Sequence, residues 1–216
     1  MTIGITGGIG SGKSRIAREL IRRGYSVYDC DREAKRIIVE NAEVRTAIIA
    51  LLGEEAFLTS HNDNGLTSHI YNTAYVAKRV FEDKSLLEAI NKIVHPAVIE
   101  DIKQRSGLTA KRSNSAAVLQ AQPILFVESA ILYEAGLDAL CDRVIVIDAP
   151  EDIRIERTIG RDYNGEMTEA NINKVRARMR AQQKHTGDLL IFNDGQTPTP
   201  EVVDNLLGWL DRMANG

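Results

Sequence analysis

The feature that most constrains this chain is a glycine-rich segment near its start, residues 7–14, with the sequence GGIGSGKS. This segment matches the pattern G-x-x-x-x-G-K-[ST] at every position. A short apolar run, residues 2–6, precedes it, and apolar residues at helical spacing follow it as far as Arg23. A strand, a glycine-rich turn and a helix in this order are typical of a phosphate-binding loop. We therefore expect a nucleotide-binding α/β protein.

The residue types in this segment suit the chemistry of phosphate binding. Glycines let backbone N–H groups turn toward phosphate oxygens, and the N-terminus of the following helix adds a favourable partial charge. Lys13 is expected to contact the β- and γ-phosphates, and Ser14 to place its hydroxyl on Mg²⁺. The predicted nucleotide-binding residues are Gly8, Ile9, Gly10, Ser11, Gly12, Lys13 and Ser14.

Further apolar runs predict strands at residues 25–29, 124–127, 144–147 and 189–192. Helical patterns separate them, so the sequence predicts a five-stranded, mainly parallel sheet between two helical layers, a three-layer α/β/α fold. Residues 41–105 show helical patterns without a strong strand signal, apart from a helix-breaking His95-Pro96 step. Residues 107–122 are polar and predict a loop. The interpretation is a helical insertion in one P-loop domain.

Composition narrows the class of protein. The net charge of −3 argues against a general nucleic-acid binder, which needs a basic face. No apolar run approaches the length of a membrane span and no leader-like segment opens the chain, so we expect a cytoplasmic protein without a membrane partner. Two cysteines far apart, Cys30 and Cys141, suggest neither a disulfide framework nor a zinc site.

Acidic residues follow the predicted strands, where open α/β sheets bind their ligands. Asp29 and Asp31 flank Cys30, and either could be the general base for an alcohol acceptor; Asp31 is preferred because it lies beyond the strand. The alternative, that both only cap the next helix, stays open with about even odds. Glu128 and Asp148 are both candidates for holding Mg²⁺, although a cap for the following helix is the favoured interpretation of Asp148.

Three arginines, Arg154, Arg157 and Arg161, are spaced to share one face of a helix. Such a face could stabilise charge on a transferred phosphoryl group. We expect this role for Arg161, which precedes a glycine-containing segment that resembles a mobile lid. For Arg154 the favoured interpretation is a solvated basic face paired with Glu151 and Glu156.

Together these motifs resemble one family, the dephospho-CoA kinases, over nearly the whole chain. The resemblance is carried by residues 5–14, Asp29-Cys30-Asp31, Val94-His95-Pro96, Leu132-Tyr133-Glu134, residues 157–162 and residues 192–195. It implies ATP and Mg²⁺ as cofactors, dephospho-CoA as acceptor, and phosphorylation of its ribose 3′-hydroxyl, the final step of coenzyme A synthesis.

The resemblance also implies an architecture and residue roles. Within a single domain of residues 1–216, it implies a helical acceptor-binding insertion at about residues 32–110 and a lid at about residues 161–180. Asp31 takes the position of the catalytic base, and Arg161 that of a lid arginine on the phosphates. Asn193 is expected near the adenine. The predicted acceptor-binding residues are Asp31, Arg36 and His95, and the predicted metal ligands are Ser14 and Glu128.

Other functions are possible for the same loop. Another small-molecule kinase would share the fold and the mechanism, and a nucleotide sensor would bind without turnover. A P-loop GTPase is disfavoured because residues 91–94, Asn-Lys-Ile-Val, lack the aspartate that reads the base. The sequence does not predict an oligomeric state.

Overall fold

The computed structural model describes residues 1–61, 67–112, 124–183 and 185–214. The strands are β1 (Thr2–Gly7), β2 (Ser26–Asp29), β3 (Phe57–His61), β4 (Thr67–Tyr71), β5 (Leu125–Glu128), β6 (Arg143–Asp148) and β7 (Leu189–Phe192). The helices are α1 (Lys13–Arg22), α2 (Cys30–Glu40), α3 (Ala42–Leu52), α4 (Thr73–Glu82), α5 (Ser85–Arg112), α6 (Glu151–Asp162), α7 (Glu169–Arg180) and α8 (Thr199–Ala214). Two short 3₁₀ helices cover Glu54–Ala56 and Leu137–Leu140.

The chain divides into two compact units. Met1–Tyr28 and Leu108–Gly216 form one, which we call the sheet unit, and Asp29–Gly107 form the other, the insertion unit. No described helix is both long enough and apolar enough to cross a membrane.

The sheet unit is built on a five-stranded sheet in the order β2-β5-β1-β6-β7. β1 pairs in parallel with both β5 and β6, and β6 pairs in parallel with β7. The three central strands are almost entirely buried, as expected for a sheet covered on both faces. Helices α1 and α8 pack together, and their apolar residues join Ile3, Ile5, Phe126 and Ile145 in one core. The predicted α/β fold with a five-stranded parallel sheet is confirmed.

The insertion unit is helical but also contains a hairpin that the sequence interpretation missed. β3 and β4 pair antiparallel, with Phe57 opposite Tyr71 and Thr59 opposite His69. The two rings of the first pair lie 5.5 Å apart. The prediction of no strand between residues 41 and 105 was wrong, because these strands are short, half-exposed and dominated by polar residues. The segment that connects them, residues 62–66, lies outside the described residues.

Helix α5 corrects two further expectations. It continues through Pro96, so the predicted helix-breaking step at His95-Pro96 was wrong. Proline removes one helical hydrogen bond, but the buried Val94 and Val98 on either side anchor the helix by packing. The helix also runs on to Arg112, whereas a loop was predicted from Gly107. The rest of that predicted loop, residues 113–123, is outside the described part of the chain.

Candidate active site

The phosphate loop, residues 7–14, connects the carboxyl end of β1 to the start of α1. Gly10 and Gly12 have φ angles of 76° and 94°, a left-handed conformation that glycine adopts without strain. A Cβ at Gly10 would overlap the backbone of Arg154, and one at Gly12 would overlap the side chain of Asn193. The loop therefore requires glycine at these positions for two reasons. The φ angles are positive, and the neighbouring residues leave no space for a Cβ atom.

Ser14 and Glu128 meet at the start of α1. The Ser14 hydroxyl donates a hydrogen bond of 3.2 Å to the carboxylate of Glu128, and Lys13 Nζ lies 3.9 Å from the same oxygen. Glu128 is buried at the end of β5. The structure therefore brings together three predicted site residues, from the phosphate loop and from a neighbouring strand of the sheet.

Asp148, the alternative metal ligand, is engaged elsewhere. Its carboxylate accepts a hydrogen bond from the Ala149 N–H and lies 3.5 Å from Arg154 Nη1. Pro150 is the N-cap of α6, so the favoured interpretation of Asp148 as its cap was wrong. Of the two carboxylates, only Glu128 contacts Ser14.

The residues around Ser14 fit a bound Mg²⁺. A hydroxyl and a carboxylate supply the hard oxygen ligands that Mg²⁺ takes, and this ion keeps several waters and substrate oxygens as further ligands. Among the described residues there is no cluster of three or more His, Cys, Asp or Glu side chains that could hold a metal. A Mg²⁺ site of this kind does not need such a cluster, because Mg²⁺ bound with a triphosphate uses only one or two protein ligands.

Two buried hydroxyls also fit an anion-binding loop. Thr6 Oγ1 and Ser11 Oγ are buried and have no hydrogen-bond partner within the described residues. Leaving a buried hydroxyl unpaired costs roughly 1–3 kcal/mol. Such groups are expected where a ligand or water completes the site, and both belong to the segment that forms the phosphate loop and its strand.

The arginine face of α6 contacts the phosphate loop, but not through the predicted residue. Arg154 Nε donates to the Ile9 carbonyl at 2.9 Å, and Arg157 Nη1 lies 3.3 Å from the Ser11 carbonyl oxygen. The interpretation of Arg154 as a solvated residue paired with Glu151 and Glu156 was wrong, since Glu151 pairs with Arg176 instead. The spacing of the arginines indicated a shared helix face but not that this face contacts the phosphate loop.

Arg161, the predicted catalytic arginine, lies at the last turn of α6 and forms two hydrogen bonds with Asp162, at 2.6 and 3.2 Å. Arg178 on α7 donates to the same carboxylate at 2.7 Å. The hydrogen bond from Arg161, with a smaller contribution from Arg178, lowers the pKa of Asp162 to about 2. Asp162 thus joins α6 to α7 through Arg178, and Arg161 is its exposed partner on α6.

Asn193, predicted to lie near the adenine, follows β7 and contacts the phosphate loop. Its side-chain amide donates to the Ser11 carbonyl at 2.9 Å, and its N–H donates to the Asp148 carbonyl at 2.7 Å. The neighbouring Asp194 and Gly195 line a cavity of about 570 Å³ together with Arg157.

A second cavity of about 500 Å³ lies on another side of the loop, next to Gly8. Arg154, Arg176 and Arg180 line it, and so does Gln182. The Gln182 side chain accepts a hydrogen bond of 2.7 Å from the Ile9 N–H. Sequence reasoning missed this contact of Gln182, because the residue follows α7 and is more than 170 positions away from the loop.

The remaining predicted residues lie in the insertion unit. Asp29 is the N-cap of α2 and accepts a hydrogen bond of 3.0 Å from the Arg32 N–H, so it has the capping role, whereas Asp31 is exposed on the first turn. Arg36 contacts three carboxylates, those of Glu33, Glu40 and Asp101, at 2.7 to 2.9 Å. His95 is half-buried on α5, and burial lowers its pKa.

Comparisons with known proteins identify the family of this chain. The sequence model of the family described as dephospho-CoA kinase matches residues 1–199. The dephospho-CoA kinase of Porphyromonas gingivalis is 39% identical over 85% of this chain and 78% of its own length. That of Salinibacter ruber is 35% identical over 90% of this chain and 89% of its own length.

Two solved structures show the same fold. The crystal structure of TT1252 from Thermus thermophilus matches with a TM-score of 0.69 and 26% identity, over 100% of this chain and 98% of that one. The dephospho-CoA kinase of Campylobacter jejuni matches with a TM-score of 0.59 and 18% identity, over 99% and 98% of the two chains. A family match across 199 residues, with relatives above 30% identity, decides the classification. This chain belongs to the dephospho-CoA kinase family.

Proposed function

We propose that this protein transfers the γ-phosphoryl group of ATP to the ribose 3′-hydroxyl of dephospho-CoA, giving coenzyme A and ADP. This is the activity of the family to which the chain belongs. The observation that carries the proposal is the complete phosphate loop, in which the Ser14 hydroxyl faces the carboxylate of Glu128 beside Lys13.

On the donor side, backbone N–H groups of the phosphate loop, that of Gly12 among them, bind the phosphates, and Lys13 binds the β- and γ-phosphate oxygens. Ser14 and Glu128 are the residues that would hold Mg²⁺. When bound there, Mg²⁺ neutralises part of the charge on the phosphate oxygens. The cavity lined by Arg157, Asp194 and Gly195 is the proposed place for the adenine, next to Asn193.

On the acceptor side, we assign the role of general base to Asp31. Its exposed carboxylate, on the first turn of α2, is chemically suited to orient a ribose hydroxyl and to accept its proton. His95 and Arg36 remain proposed contacts of the acceptor. Since Arg36 already binds three carboxylates, a contact between Arg36 and the acceptor would compete with these ion pairs.

For the lid, we propose that Arg161 moves from Asp162 to the transferred phosphoryl group when residues 161–180 close. The paired state suits this role, because exposed ion pairs contribute only about 0–1 kcal/mol and exchange easily. Arg154, which already contacts the phosphate loop, is a further candidate for stabilising negative charge there.

The first experiment measures ADP release from ATP and Mg²⁺ with dephospho-CoA, adenosine, AMP, CMP and shikimate as separate acceptors. Turnover with dephospho-CoA alone, and a product phosphorylated at the 3′ position by NMR, is the expected result. Lys13→Ala should lower kcat by roughly 10²–10³. Turnover with another acceptor would keep the kinase mechanism and replace the substrate, whereas ATP binding without turnover would favour a nucleotide sensor.

A second experiment tests the base. Asp31→Asn keeps the size of the side chain but removes its basicity, so kcat should fall by roughly 10²–10⁴. Binding of MgADP, measured by calorimetry, should stay unchanged, because the loss concerns proton transfer from the acceptor. Asp29→Asn is the matched control, since asparagine also caps a helix. An unchanged kcat in Asp31→Asn would overturn the assignment.

The expected cytoplasmic location is part of the proposal. Cell fractionation with an antibody against the chain would test it, and recovery in the membrane fraction would contradict it.

A further inference from the structure

Arg157 binds the outer side of the phosphate loop. Its Nη1 lies 3.4 Å from the carbonyl oxygen of Gly10, 3.3 Å from that of Ser11 and 3.1 Å from that of Asn193. The guanidinium group therefore connects α6, the phosphate loop and the segment after β7. The second nitrogen, Nη2, lies 3.5 Å from Asn193 Oδ1, so lysine, which has a single nitrogen, could not reproduce all of these contacts.

Asn193 binds the same carbonyl from a second direction. Its Nδ2 donates to the Ser11 carbonyl at 2.9 Å. The position of Asn193 is itself fixed, because its N–H donates to Asp148 at the end of β6 and its carbonyl accepts from Arg157. The Ser11 carbonyl thus receives two donors from residues that are far apart in the sequence and are held in place by the sheet.

These contacts determine where the neighbouring N–H groups point. In a planar trans peptide the C=O and N–H bonds point in opposite directions, and none of the described peptide bonds is cis. With the Gly10 carbonyl directed at Arg157, the Ser11 N–H points the other way and donates to the Gly8 carbonyl across the loop at 3.1 Å. The side of the peptide opposite Arg157 is therefore the inside of the loop.

The same geometry applies to the next peptide. Because the Ser11 carbonyl faces Arg157 and Asn193, the Gly12 N–H faces the inside of the loop, at the N-terminus of α1. An N–H group at this place is a natural donor to a phosphate oxygen. Its direction depends on the two contacts to the Ser11 carbonyl, since glycine alone leaves the peptide free to rotate.

We propose that Arg157 and Asn193 are positioning residues that hold the Ser11–Gly12 peptide with its N–H directed at the phosphates of the nucleotide. They act on the phosphate through the backbone of the loop. Burial and the nearby charge of Arg15 lower the pKa of Arg157. Both effects disfavour the positive charge of Arg157, and an anion bound in the loop counteracts them. The inference rests on the proposed function only for the identity of the nucleotide.

The test measures by calorimetry, without an acceptor, the affinities for MgADP and for magnesium tripolyphosphate, which lacks the adenine proposed to lie beside Arg157 and Asn193. Action through the loop predicts a loss for both ligands, and a loss for MgADP alone would overturn it. Asn193→Ala and Arg157→Gln should each weaken binding roughly tenfold to a hundredfold, the range expected when a hydrogen bond to a charged group is lost. Arg157→Lys should lie between Arg157→Gln and the unmodified protein. Because both residues bind one carbonyl, the double variant should lose less affinity than the product of the two single losses.

Two further measurements separate positioning from general stability. The KM for ATP should rise while kcat stays within about threefold, because the Gly12 contact is made in the ground state and in the transition state alike. The Gly12 amide proton should shift on MgADP binding in the unmodified protein, and less in Asn193→Ala. Arg143→Gln, an arginine change at the opposite end of β6, is the matched control and should leave affinity unchanged.

An MgADP affinity within threefold of the unmodified protein in both Asn193→Ala and Arg157→Gln would overturn the inference. If Arg157→Gln does not fold, Asn193→Ala and Arg157→Lys decide the question by the same criterion. A different outcome would contradict the proposed function: the unmodified protein would bind MgADP tightly but would not phosphorylate dephospho-CoA.

Discussion

The sheet unit and the insertion unit are stabilised in different ways. The core of the sheet unit is an apolar cluster in which Ile3, Ile5 and Ile145 are completely buried between helices. Both units also bury carboxylates, and these differ in their partners. Glu19 of the sheet unit pairs with Arg22 and Arg23, which are close to it in the sequence, whereas the buried carboxylate of the insertion unit pairs with arginines of two helices. Glu33, whose side chain is 6% exposed, pairs with Arg32, Arg36 and Arg105, and Asp101 pairs with the last two.

In the insertion unit, the ion pairs of Glu33 connect two helices and keep its buried carboxylate charged. Burial of Glu33 raises its pKa, but hydrogen bonds from Arg36 and Arg32 and the charge of Arg105 hold the pKa below its usual value. The charged network joins α2 to α5, which are more than 60 residues apart. A network of this kind fixes which helices are neighbours, whereas apolar packing alone tolerates many substitutions.

The largest effect is expected in the apolar core. Ile145→Ala should lower the free energy of unfolding by about 2–5 kcal/mol, because it removes buried methyl groups and leaves a cavity. Urea denaturation measures the loss, which should not change with salt. The exposed Leu190→Ala on β7 is the control and should cost less than about 1 kcal/mol. Equal costs for the two variants would contradict the comparison.

Breaking the ion network should cost about 3 kcal/mol. Glu33→Ala removes the buried carboxylate that Arg36 and Arg105 share. Both arginines are partly exposed, so the loss in the free energy of unfolding should be at the lower end of the range measured for broken buried ion pairs. Glu40→Ala removes an exposed partner of the same Arg36 and should cost less than about 1 kcal/mol. A Glu33→Ala protein as stable as Glu40→Ala would show that the network is dispensable.

Acid should weaken the insertion unit through the same residue. The pKa of Glu33 is lower in the folded protein than its ordinary value of 4.5, so its contribution is present above pH 4.5 and is lost as the pH falls through the folded pKa. Glu33→Gln has no such titration. The stability difference between the two proteins, measured by urea denaturation from pH 7 to pH 3, should therefore shrink at acid pH. A constant difference would contradict the prediction.

The smallest changes in stability are expected for alanine substitutions at two glycines of the sheet unit that have open space around them. A Cβ at Gly160 or at Gly24 would meet no atom within 4 Å, but Gly24 has a φ of 88° whereas Gly160 lies in α6. Gly160→Ala should stabilise the protein by about 0.5–1 kcal/mol, and Gly24→Ala should destabilise it by about 1–2 kcal/mol. Thermal unfolding measures both, and the same sign for both would refute the backbone explanation.

The sheet unit could be predicted in detail from the sequence. The runs at residues 144–147 and 189–192 coincide with the core of β6 and with β7. β6 is an apolar run because a strand buried on both faces is continuously apolar, whereas β7, at the edge of the sheet, is apolar although two of its side chains are exposed. The hairpin β3–β4 could not be predicted, since each of its strands has two adjacent apolar or aromatic residues at one end and three polar residues at the other, without the alternation that indicates a strand. The network around Glu33 was also missed, because residues that pair across 70 positions leave no local pattern.

In the candidate site too, local motifs could be predicted from the sequence, whereas contacts between distant residues could not. Lys13, Ser14 and Glu128 were predicted from a local motif and a strand end, and the structure brings these side chains together. Arg154 was misassigned, because helical spacing identifies a face and not what the face contacts. The contacts of Asn193 and Gln182 with the phosphate loop depend on how β7 and α7 return to the carboxyl edge of the sheet, which only the folded chain specifies.

The two cysteines divide between the units, and this gives the chain a pair of internal reporters. Cys141 lies in the sheet unit, where burial and the charges of Asp138 and Asp142 raise the pKa of its thiol to about 12, and Cys30 is buried on α2 of the insertion unit. Because only an accessible thiolate reacts with alkylating reagents, labelling of the buried Cys30 requires its surroundings to open, and labelling of the half-buried Cys141 is slowed by its raised pKa until its surroundings open. Mass spectrometry of the labelled peptides would therefore follow the opening of each unit separately, without introducing any probe.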